Sequence, residues 1–123
     1  MKKQLLCVLI GAGLGVNTWA ASAEQYVAMV EKVTDQYKQE RRQFFLTLDP
    51  NLQQFTAQQN QRYCGIVKNY VEGLYLAADE NKAYLDREYR QIVYSDVVKQ
   101  VMESKDMQLL TRYGVQCDME KRN

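Results

Sequence analysis

The chain of 123 residues contains no histidine. Histidine is the usual general base, proton shuttle and zinc ligand, so its absence removes the commonest routes to hydrolysis and to zinc chemistry. Proline occurs once, at Pro50, and tryptophan once, at Trp19. No sign of charge dominates: 16 basic residues face 15 acidic ones. Such a balance carries no electrostatic footprint for nucleic acid or for an anionic membrane surface. The longest apolar run, Leu5–Val16, covers 12 positions, short of the roughly 20 that span a bilayer.

What is present at the start of the chain has a clear order. Lys2 and Lys3 are followed by the apolar run, then by the small residues Ala21, Ser22 and Ala23. A basic end, an apolar centre and a small-residue site make a secretory signal peptide, expected here over residues 1–23 with cleavage after Ala23. Gly11-Ala12-Gly13-Leu14-Gly15 is no phosphate loop, because no βαβ unit follows it. Cys7 stands near the start of the apolar run rather than after it, where a lipid attachment would fall.

Cleavage would leave 24–123 as one domain of 100 residues. Two lysines and no acid leave with the signal, so the formal charge moves from +1 to −1. Cys7 leaves too, and Cys64 and Cys117 remain. In an oxidising compartment two cysteines imply one bridge with one possible connectivity. In the chain-entropy picture, closing a loop of that span stabilises by about 4 kcal/mol. The chain is therefore expected in the periplasm or outside the cell, with no stable membrane insertion after cleavage.

Apolar residues recur at helical spacing throughout the mature part. Tyr26, Val30, Val33, Tyr37, Phe44 and Leu48 form one stripe of a first helix. Asp49-Pro50 then predicts the start of a second, because Asp can cap a free N–H and Pro suits the first helical position. That helix should reach about Ala78, with Tyr63, Ile66, Val67, Tyr70, Val71, Leu74 and Ala78 on its apolar face. Gly73 inside this pattern marks close approach of a neighbour.

Asp79-Glu80-Asn81 predicts a turn. Leu85, Tyr89, Val93, Val97 and Val101 predict a third helix, with a kink at Ser95-Asp96. A short fourth, Lys105–Tyr113, should be capped by Ser104 and stopped by a left-handed Gly114, with Leu109, Leu110 and Tyr113 as anchors. Residues 118–123 read as a frayed tail. The expected fold is all-α: a three- or four-helix bundle with one disulfide.

Two features stand out from ordinary bundle composition. Gln53, Gln54, Gln58, Gln59 and Gln61 crowd the first half of the second helix, and nine tyrosines are spread over residues 26–113. Gln offers donors and acceptors, and Tyr combines apolar area with a polar tip, so both suit either a solvated rim or a binding surface. Gln54, Gln58, Gln61, Tyr75, Tyr84 and Tyr94 fall off the predicted core faces and are the candidate partner-binding residues. Arg41-Arg42 reads as a solvated helix face.

Asp79, Asn81, Asp86 and Glu88 do not fit a calcium loop: its sixth position would be Tyr84 and its twelfth Arg90. Asp96 is the most notable acid, and a helix cap is its simplest role. No nucleophile–base pair can be assembled from spacing, so no catalytic, cofactor or metal residue is expected. The composition points to a non-enzymatic protein-binding module of inhibitor, immunity or adaptor type, acting on another envelope or secreted protein. A holdase-like envelope-stress chaperone and a structural part of an envelope assembly are the alternatives.

Overall fold

A computed structural model describes residues 14–119 of the chain. Among them the chain is all-helical. α1 spans Leu14–Leu46, α2 Ala57–Asn81, α3 Arg87–Arg90, α4 Tyr94–Met102 and α5 Lys105–Thr111, with a 3₁₀ turn at Lys82–Tyr84. Most of the expected signal peptide, residues 1–13, lies outside the described residues. Leu14–Ala23 belongs to α1.

α1 and α2 form the main hairpin. The 33 residues of α1 correspond to a rod of about 50 Å. Tyr37 and Phe44 are buried on its stripe, facing Tyr63, Val67 and Val71 of α2. The close approach marked by Gly73 is present: a Cβ there would stand 2.7 and 2.8 Å from the two methyls of Val33. Only glycine lets the helices meet at this depth without displacing a stiff β-branched neighbour.

The second helix begins at Ala57, not at Pro50. The Asp49 carboxylate accepts the Asn51 N–H at 2.9 Å and closes a local turn instead of capping a helix. The capping is done by Thr56. Its hydroxyl accepts the Gln59 N–H at 3.1 Å, and the Gln59 side chain accepts the Thr56 N–H at 2.8 Å. This reciprocal box satisfies two orphan donors at once, which Asp49 could not do. The freed segment folds back, burying Phe55, whose N–H donates to the Tyr113 carbonyl at 3.0 Å.

The predicted third helix is broken into the 3₁₀ turn, α3 and α4. α2 runs through the predicted turn to Asn81, which is 4% exposed and donates to the Ala77 carbonyl at 2.9 Å. Further on, the Asp96 carboxylate accepts the Val93 N–H at 3.0 Å and starts α4. The interruption therefore falls at Gln91–Val93, just before the expected kink, and Asp96 is the residue that restarts the helix. Tyr89 and Val93, predicted as core, stand exposed, whereas Val97, Val98 and Val101 are buried.

α5 is capped as expected, with the Ser104 hydroxyl accepting the Met107 N–H at 3.3 Å, and it is followed by Gly114 at φ +82°. Its buried residues are Met107 and Leu110, while Leu109 is exposed and Tyr113 packs on Phe55. The expected bridge is present: Cys64 and Cys117 are disulfide-bonded with Cα atoms 5.4 Å apart. Of the expected tail at 118–123, Met119 packs against the core. Val115 is buried and Met119 is 3% exposed, so the chain beyond α5 is part of the core. Residues 120–123 lie outside the described residues.

Candidate functional site

A groove of about 430 Å³ lies between α1, α2 and α4. Val30, Leu74, Ala78, Ile92, Val97 and Val101 supply its apolar lining. Tyr26 and Tyr37 come from α1 and Tyr70 from α2. Gln100, Ser104 and Asp106 add polar groups from the α4–α5 side. The tyrosines gather there because the facing stripes of two helices carry them. Tyr37 and Tyr70 stack across the interface with ring centroids 4.1 Å apart and planes at 5°.

One side of this wall is a partly buried polar cluster. The Tyr37 and Tyr63 hydroxyls share a hydrogen bond of 3.2 Å. Arg41 donates from Nε to the Tyr63 hydroxyl at 3.0 Å, and its Nη1 lies 3.3 Å from Asp106 Oδ2. The guanidinium carbon is 5.4 Å from the ring centroids of both Tyr37 and Phe45, within cation–π range. Burial, reinforced by the Tyr63 hydrogen bond, pushes the Tyr37 hydroxyl well above the usual tyrosine value. Burial also raises Tyr26, with a smaller contribution from Tyr89. Burial works against the Arg41 cation, but Tyr63, Tyr37 and Asp106 outweigh it and hold the guanidinium above its ordinary value. Tyr37 is therefore a neutral hydrogen-bonding group, not an activated nucleophile.

A shallow depression lies next to this cluster, lined by Lys38, Arg41, Arg42, Phe45 and Leu46 at the end of α1. Arg41 is half-buried, unlike the solvated residue that its place in an Arg-Arg pair suggests. Its spacing carried a signal. Positions 37, 41 and 45 are four apart, which sets the cation in line with Tyr37 and Phe45 on one helix stripe.

The sequence-derived candidates do not come together. Gln54, Gln58 and Gln61 are exposed, as expected. Gln54 lies in the loop before α2, where its amide would be 3.0 Å from a Cβ on Gly114. Gln58 borders a small hollow with Phe44 and Arg62. Tyr75 and Tyr94 are half-buried and meet edge-to-face, with centroids 5.6 Å apart, packed against the core. Tyr94 falls off the core face only if the third helix is continuous; the break before α4 resets its face and sets its ring against Tyr75 of α2. Tyr84 is 39% exposed in the 3₁₀ turn.

Among the acids, Asp96 caps α4, and Asp86 and Glu88 border an open hollow with Arg87 and Gln91. Among the described residues, no three His, Cys, Asp or Glu side chains group as metal ligands, and no helix is long and apolar enough to cross a membrane. No family model matches the chain, and neither a curated protein nor a solved structure matches it.

Proposed function

We propose that this is a small exported, non-enzymatic binding module for another envelope or secreted protein, of inhibitor, immunity or adaptor type. The observation that carries the reading is the tyrosine-lined groove between α1, α2 and α4. An apolar hollow with a few convergent polar groups is what a partner's side chains use as an anchor site. Tyr26 and Tyr70, both half-buried at the groove, suit this role, because aromatic rings present contact area at low entropic cost. The Cys64–Cys117 bridge supports export, since such bonds persist in oxidising compartments.

A photo-crosslinking amino acid placed at Gln100, on the groove, tests the reading in the native envelope. Leu109 is exposed, does not line the groove, and serves as the control. A discrete protein adduct from position 100 and none from 109 is the expected result. Identical adducts from both positions, or none from either, would remove the groove as the docking site.

A further inference from the structure

We propose that the basic end of α1 receives a carboxylate from an acidic segment of a protein partner, and that Asp106 holds its place in the free protein. This deepens the binding-module reading and rests on it.

Lys38 and Arg42 are exposed one turn apart, and neither has an ion-pair partner among the described residues. Arg41 lies beside them with its guanidinium fixed. Nε is held by Tyr63, the plane sits against Tyr37 and Phe45, and Nη1 faces Asp106. A guanidinium immobilised in this way is ready to pair with a planar carboxylate, because little further freedom is lost on binding. Its present partner is easily exchanged: the Asp106 side chain is 54% exposed, and exposed ion pairs contribute little.

Apolar contact is available in the same place. Leu46 is 80% exposed, and Phe45 forms the wall between Leu46 and Arg41. Three cations beside two apolar side chains, on a nearly neutral chain, are complementary to an acidic segment with an apolar anchor. The Arg41–Asp106 pair also joins two surfaces, since Asp106 lines the tyrosine groove and Arg41 lines the basic depression. A protein segment crossing this pair could place apolar side chains in the groove and its carboxylate on Arg41. A lipid surface cannot fill a groove in that manner.

The test is selection of a randomised peptide library on the protein purified from an oxidising compartment. Expected winners carry Asp or Glu beside Leu or Phe. Their binding should weaken at least tenfold in Lys38→Glu/Arg42→Glu, whose altered residues are exposed, and should tighten about two- to fivefold in Asp106→Asn. Circular dichroism of each variant checks the fold.

Neutral winners that compete with the Gln100 crosslink but ignore Lys38→Glu/Arg42→Glu would overturn this inference and leave the groove reading standing. No enrichment at all would overturn both. Binding to vesicles containing one-third anionic phospholipid, lost in the double variant and with no acidic peptide selected, would overturn the protein partner in favour of lipid.

Discussion

Asn60 holds the backbone of Gln116 through both groups of its side-chain amide. Nδ2 donates to the Gln116 carbonyl at 3.0 Å, and Oδ1 accepts the Gln116 N–H at 3.0 Å. The amide thus pairs with residue 116 much as a neighbouring strand would, one helical turn from the bridge at Cys64. Asn60→Ala should lower stability by about 1–2 kcal/mol, the loss for two hydrogen bonds with solvent access. Urea unfolding measures this, and faster hydrogen exchange at 115–117 should accompany it.

Removing the bridge is expected to cost more. Cys64→Ser/Cys117→Ser opens a loop whose anchors are 53 positions apart and should destabilise by up to about 4 kcal/mol. Asn60 and the buried Val115 and Met119 still tether the segment. The variant should therefore remain helical at low temperature, with a lowered Tm by circular dichroism. Full unfolding at 10 °C would mean the bridge holds more of the fold than this packing implies.

Gly73→Ala provides a test by sign. Alanine is favoured over glycine within a helix by about 1 kcal/mol. Here its methyl would sit 2.7 Å from Val33 Cγ1, and overpacking of this sort costs about 1–3 kcal/mol. The single variant should be less stable than the parent. In a Val33→Ala background the same change should become stabilising, which a double-mutant cycle in urea would show directly.

The raised Tyr37 hydroxyl predicts alkaline sensitivity. An unfolded tyrosine releases its proton near pH 10, whereas the folded one keeps it. Below pH 10 both states are protonated and the contribution to stability is fully present. As pH rises past 10 the unfolded state loses the proton first, so stability falls toward the folded value. Tyr37→Phe should make the decline between pH 10 and 11 shallower by up to about 1.4 kcal/mol per pH unit. An unchanged slope would show that Tyr37 does not hold its proton through this range.

Signals confined to a few neighbouring residues were legible in the sequence. The Ser104 cap, the left-handed Gly114, the apolar face of α2 and the close approach at Gly73 each follow from local chemistry. The bridge followed from cysteine arithmetic. Where two local solutions compete, the sequence was a weaker guide. Asp49 could cap a helix or close a turn, and Thr56 with Gln59 offered the better cap six residues into the expected helix. Asp96 looked like a kink within one helix but is the start of another. That displacement turned Tyr94 inward onto Tyr75 and left the groove to residues read as core packing. Arg41 was hidden for a different reason, since its polar partners Tyr63 and Asp106 come from two later helices, α2 and α5.

Met119, against the core, has a consequence for the order of events during synthesis. The α1–α2 hairpin emerges first with its Phe55–Tyr63 side bare, and Val115, Cys117 and Met119 are the last pieces to reach it. Completion of the fold must wait until this stretch is delivered, because Cys64 has no bridge partner before Cys117 emerges. A stop codon after residue 114 would remove two packing residues and the covalent latch in one step.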